Sequence, residues 1–149
     1  LWALLVGVLV GPSDMLDGTM ARLSGRSGNW GAFLDSTLDR IADGAVFGSI
    51  AYWYATQGEF WVCAVALVVL VGSLTVSYAK ARAEGLGIEC NVGFAERTER
   101  MLVIALGLLL TGLGVTWALP VLLCVLALLV WFTVLQRMLH VRRQAGAAS

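Results

Sequence analysis

The chain has 149 residues, of which 59% are hydrophobic and only 13% charged, where an ordinary soluble domain carries roughly 25% charged residues; its mean hydropathy is +0.83. Ten acids balance ten bases, so there is no basic field to recruit nucleic acid, and no nucleic-acid partner is expected. Long apolar runs with few charges read as an all-α integral membrane protein. Cys63, Cys90 and Cys124 stand far apart and read as small apolar fillers rather than as ligands or disulfide partners.

Residues 1 to about 11 are apolar, with neither an initiator Met nor a charged leader before them, and read as the remnant of a span in an N-terminally incomplete chain. Pro12 marks a kink, after which helix resumes to about Leu23. A turn is predicted at Ser24 to Asn29, a second helix from about Trp30 to Thr56, and a break at Gln57-Gly58-Glu59. The third span, 60 to about 79, has roughly twenty apolar residues, enough to cover about 30 Å as a helix. A polar segment from Lys80 to Asn91 follows. The fourth span is predicted over about Gly93 to Leu113, entered through Glu96-Arg97-Thr98-Glu99-Arg100. A short turn between Gly114 and Pro120 leads to a fifth span ending near Leu139, and then to a surface tail from His140 to Ser149.

Alternating the spans puts the turn at 24 to 29, the segment at 80 to 92 and the tail on one side of the membrane. All ten Lys and Arg residues gather on or near that side, which the positive-inside rule makes cytoplasmic. The expected location is therefore the inner (plasma) membrane, multi-pass, with the charged end facing cytoplasm.

Four aspartates stand at that end. Asp14 and Asp17 are three apart on one helix and Asp35 and Asp39 four apart on the next, so each pair shares a face. The short turn between the helices makes them antiparallel neighbours whose carboxylates can converge. Bare, the four would repel; a hard divalent ion, Mg²⁺ or Mn²⁺, relieves that repulsion with oxygen donors alone. Two such ions bridging a diphosphate would stabilise a leaving phosphate. Gly18, Ala21 and Gly31 remove bulk beside the acids, and Arg22 offers a fork of donors to phosphate. The same acids could instead serve a non-enzymatic carrier as ion relays, or pair structurally.

Asp14, Asp17, Gly18, Ala21, Arg22, Gly31, Asp35 and Asp39 form the ordered pattern D-x2-D-G-x2-A-R-x8-G-x3-D-x3-D, which resembles the signature of the CDP-alcohol phosphatidyltransferase family at every position. The resemblance implies one transmembrane domain over residues 1–149. It also implies a six-span helical bundle, of which about five spans are represented, and a homodimer. The implied activity moves a phosphatidyl group from CDP-diacylglycerol to an alcohol and releases CMP. It further implies that Asp14, Asp17 and Asp35 are the principal metal ligands for two Mg²⁺ ions. Asp39 would touch a metal and deprotonate the acceptor, while Gly18, Ala21, Arg22 and Gly31 cradle the cytidine diphosphate.

Lys80, Arg97, Arg100 and Arg137 could line a cationic pocket for a phosphorylated acceptor. Lys80, Arg97 and Arg137 are the stronger candidates, ahead of Arg100 and Arg82. The stretches Y-A-K-A-R-A-E-G-L-G and A-E-R-T-E-R resemble the branch of the family whose acceptor is inositol 1-phosphate; glycerol 3-phosphate is the competing acceptor. Asp43, outside the signature, reads as a supporting acid or a partner of Arg40. Gly7-x3-Gly11 and Gly44-x3-Gly48 could allow close helix approach, His140 reads as interfacial, and Arg142 and Arg143 read as headgroup anchors among membrane lipids.

Overall fold

The computed structural model describes residues 29–93 and 96–147. The first apolar run, Pro12, Gly7, Gly11, Asp14, Asp17, Gly18, Ala21 and Arg22 lie outside the described residues. Those described form four helices: α1 (Asn29–Thr56), α2 (Phe60–Glu84), α3 (Arg97–Gly112) and α4 (Ala118–Ala147).

Each helix is built on a stripe of small and branched apolar residues at helical spacing. On α1 the stripe is Phe47, Ile50, Ala51 and Tyr54; on α2 it is Val62, Ala66, Val69 and Val76. Ile104 contributes from α3, and Leu119, Leu123, Leu126, Val130 and Val134 from α4. These faces pack α1 on α2, α2 on α4, and α4 on α3. The outer faces keep large apolar side chains exposed, among them Leu67, Val71, Leu128, Phe132 and Leu135. In water such a surface would drive association; the bundle is membrane-associated, and α2 together with residues Ala118–Gly146 of α4 is long and apolar enough to cross a bilayer.

Helix ends follow local chemistry, with departures from the expected boundaries in α2, α3 and α4. At the predicted break, Gly58 takes φ 79°, so that the Glu59 N–H turns back to the Tyr54 carbonyl at 2.9 Å. The third span does not end at Ala79: α2 continues to Glu84, because Lys80, Ala81, Arg82 and Ala83 are good helix formers and Lys80 meets Glu84 one turn on at 4.0 Å. It closes at Gly87, φ 76°, where the Ile88 N–H reaches the Ala83 carbonyl at 3.0 Å. The charges there mark a polar boundary, not a helix end.

The fourth span starts later than Gly93. Glu96 is its N-cap, Glu99 takes the Glu96 main-chain N–H at 2.5 Å, and the 16 residues of α3 make a helix of about 24 Å. The last helix starts before Pro120, which a first turn tolerates, and runs through the expected tail to Ala147.

Helices α2 and α4 approach closely at Gly72. A Cβ on Gly72 would stand 2.6 Å from Val130 Cγ1 and 3.1 Å from Trp131 Nε1; the same indole donates to the Val68 carbonyl at 3.3 Å. Gly72→Leu is therefore expected to cost about 1–3 kcal/mol by overpacking, read as a lower melting temperature in detergent. An unchanged melting temperature would mean the two helices do not meet there. Gly44 and Gly48, by contrast, face open space among the described residues, so this pair makes no close contact within the described bundle. Cys63, Cys90 and Cys124 are free thiols, Cys90 fully buried and the other two partly buried.

Candidate active site

The packing stripes do not stay apolar to their ends. Going toward one end of the bundle, the α1 stripe passes from Phe47 to Asp43 and Asp39, the α2 stripe from Val76 to Lys80, the α3 stripe from Ile104 to Arg100 and Arg97, and the α4 stripe from Val134 to Arg137. These steps of three or four residues keep every charged group on the face that packs inward. The up-and-down course of the helices then brings all four charged segments to the same end.

An open cleft of about 280 Å³ lies there, lined by Ser36, Arg40, Lys80, Arg97, Arg100 and Arg137 together with Val76, Ser77, Ala81, Glu84 and Glu96. Four of the expected acceptor-binding residues, Lys80, Arg97, Arg100 and Arg137, are thus brought together, while Arg82 is exposed on the outer side of α2. Ser36 and Ser77 were missed by sequence reasoning, which named Arg40 only as a partner for Asp43. Ser36 and Ser77 each stand three residues before a singled-out position, Asp39 and Lys80, and helical spacing alone could have flagged them.

Ion pairs across helices organise the site. Arg97 Nη1 lies 3.0 Å from Asp39 Oδ1 and Arg97 Nε 3.5 Å from Asp43 Oδ1. Arg100 Nη2 donates to Asp43 Oδ2 at 3.1 Å. Asp43 and Arg100 are 0% and 1% exposed, so each charge needs the other: removing one partner of such a pair typically costs about 3–5 kcal/mol. The expected partnership of Asp43 with Arg40 is corrected, since Arg40 Nη2 lies 3.6 Å from Asp39 Oδ2. Asp43 turns to α3 because it sits a full turn deeper than Asp39, on the buried side of α1.

Arg137 is also buried, at 3% exposure. Its Nε donates to the Val92 carbonyl at 2.9 Å and its Nη1 to the Val76 carbonyl at 2.6 Å. One guanidinium thus ties α4 to α2 and to the segment that follows α2, and it still borders the cleft. His140 Nε2, 3.0 Å from the Glu89 carbonyl, stitches the same segment to α4 one turn on. Arg142 and Arg143 are exposed beyond it.

Asp35 and Asp39 stand one turn apart on α1, Asp35 exposed and the Asp39 side chain 20% accessible. Carboxylate oxygens suit a hard divalent cation in donor type; those of Asp39 stand against Arg97 and Arg40. Among the described residues no three His, Cys, Asp or Glu side chains converge; Asp14 and Asp17, the other half of the expected set, lie outside them. Gly31 is exposed, with nothing among the described residues near an added Cβ.

Fold and site together define a membrane-associated all-α bundle with a cleft of carboxylates and guanidinium groups at one end. The chain belongs to the CDP-alcohol phosphatidyltransferase family, whose model matches residues 1–143. It is similar to the phosphatidylinositol phosphate synthase of Streptomyces avermitilis, with 43% identity covering 99% of this chain and 64% of that one. Similarity extends to the archaetidylinositol phosphate synthase of Methanothermobacter thermautotrophicus, 46% identical over 86% of this chain and 63% of that one. Among solved structures it resembles Mycobacterium tuberculosis phosphatidylinositol phosphate synthase with CDP-DAG bound, at 39% identity and a TM-score of 0.80, covering 85% of this chain and 66% of that one. The same enzyme in complex with manganese and citrate matches at 39% identity and a TM-score of 0.80, over 85% of this chain and 63% of that one. The chain therefore spans somewhat under two thirds of the length of these curated relatives.

Proposed function

We propose that the protein transfers the phosphatidyl group of CDP-diacylglycerol to inositol 1-phosphate, giving phosphatidylinositol phosphate and CMP. The observation that carries this reading is the cleft lined by Lys80, Arg97, Arg100 and Arg137, whose Arg97 reaches Asp39 at 3.0 Å. An uncharged alcohol would need no such cluster of bases; a phosphorylated one would. The relatives named above, phosphatidylinositol phosphate synthases from two bacteria and an archaetidylinositol phosphate synthase from an archaeon, support the same acceptor.

In this reading Asp39 accepts the proton of the inositol hydroxyl as that oxygen attacks the phosphatidyl phosphorus, and the bond from phosphorus to the CMP oxygen breaks. Lys80, Arg97 and Arg137 hold the acceptor phosphate, with Arg100 behind them. Asp14, Asp17 and Asp35, with Asp39, would hold two Mg²⁺ ions, for which Mn²⁺ could substitute, as the manganese complex of the M. tuberculosis relative suggests. Bound there, the ions would neutralise the diphosphate and stabilise CMP as leaving group. Gly18, Ala21, Arg22 and Gly31 cradle the cytidine diphosphate. The whole is a six-span, homodimeric protein of the plasma membrane whose charged end faces cytoplasm, where CMP and the water-soluble acceptor exchange while the acyl chains stay in the bilayer.

The test is CMP release by purified protein given CDP-diacylglycerol, Mg²⁺ and one acceptor. Inositol 1-phosphate is expected to exceed glycerol 3-phosphate by on the order of 100-fold in kcat/KM, since the site is built to bind the acceptor's polar groups. Turnover with glycerol 3-phosphate alone would replace the acceptor. Coupled ion or lipid flux without CMP would replace the reaction by transport.

A further inference from the structure

Directly under the cleft lies an acid outside the family signature. Asp43 is fully buried, and its two oxygens are divided between two arginines: Oδ2 meets Arg100 Nη2 at 3.1 Å and Oδ1 faces Arg97 Nε at 3.5 Å. A carboxylate that served only to neutralise Arg100 would do so best with both oxygens on one guanidinium fork. Here it offers one oxygen and turns the other toward Arg97. Arg97 in turn is approached on two different nitrogens, Nε by Asp43 and Nη1 by Asp39 at 3.0 Å. The Nε contact, between two buried atoms, is electrostatic rather than a hydrogen bond. Because the guanidinium is a rigid plane, attraction at Nε together with the closer pair at Nη1 favours one orientation of that plane over the others.

We propose that Asp43 is a positioning residue: it sets the plane of the Arg97 guanidinium, and through Arg97 the placement of Asp39 and the binding of the acceptor's phosphate. The inference rests on the transfer reading given above. Asp43 touches no substrate in it and acts only through Arg97.

A double-mutant cycle tests this on the purified protein, with CMP release read against acceptor concentration. Asp43→Asn keeps the shape and removes the charge, and is expected to raise the acceptor KM on the order of tenfold, with the KM for CDP-diacylglycerol within about twofold of wild type. In an Arg97→Gln background the same change is expected to add less than about twofold, because its target is gone. Losses that multiply would show that Asp43 works independently of Arg97 and would overturn the inference. If Asp43→Asn strands the Arg100 charge and lowers folded yield, KM is read on the monodisperse fraction recovered by size-exclusion, since KM does not depend on how much active protein is present; the same two outcomes decide it. A wild type that releases no CMP with either acceptor overturns the transfer reading and this inference together, whereas multiplying losses in an active protein overturn the inference alone.

Discussion

Replacing Asp39 with asparagine is expected to lower CMP release by about 10²–10⁴-fold, the range typical of losing a positioned general base, with binding of CDP-diacylglycerol largely kept. Asparagine matches aspartate in size but cannot take the acceptor's proton. The Asp39 side chain is 20% accessible and the Arg97 side chain 28%, so their pair is screened by solvent and contributes at most about 1 kcal/mol to stability. The variant should therefore fold, and its melting temperature should stay near that of the wild type. Arg97 keeps Asp43 beside it in the variant, so the cleft retains its second carboxylate contact. Near-normal turnover by the asparagine variant would remove Asp39 from the role of base and leave it as a pairing partner for Arg97.

Stripping divalent cations with EDTA is expected to abolish CMP release, and Mg²⁺ or Mn²⁺ to restore it. Metals bound there would supply several kcal/mol of charge stabilisation at the diphosphate, and each 1.36 kcal/mol is about tenfold in rate, so the loss should be on the order of 10³-fold or more. Asp35 gives this prediction a second readout. It is exposed on α1, so Asp35→Ala should disturb packing little. A ligand that binds only the folded state raises the melting temperature, so added Mg²⁺ should stabilise the wild type and fail to stabilise Asp35→Ala. CMP release indifferent to EDTA, or equal stabilisation of both proteins by Mg²⁺, would sink the metal assignment.

Much of the architecture can be read from local rules. Gly58 and Gly87 stop helices because a following N–H must turn back onto the last turn. The same local reasoning misjudged the end of α2, where Lys80 to Glu84 look like a loop by polarity and behave as helix by propensity. It also set the start of α3 too early, since apolar character at Val92 and Gly93 says nothing about where Glu96 caps. In the site, Asp39, Lys80, Arg97 and Arg137 stand out in sequence as charges beside apolar runs. The passage of each packing stripe into charge follows from counting threes and fours along one helix.

What the sequence alone determined is therefore the number and order of the described helices, where the glycine breaks fall, and that the basic residues collect at one end, because these follow from local composition and the alternation of the spans. What only the tertiary structure decided is who pairs with whom. Asp43 finds Arg100 57 residues away, not Arg40 one turn back on the same helix. Arg137 commits Nη1 and Nε to the carbonyls of Val76 and Val92, 61 and 45 residues away. These choices depend on the spatial order α1, α2, α4, α3 and on how deep each charge sits. A buried ion must be satisfied by whatever group the packing brings within about 3 Å, and no local pattern encodes that distance.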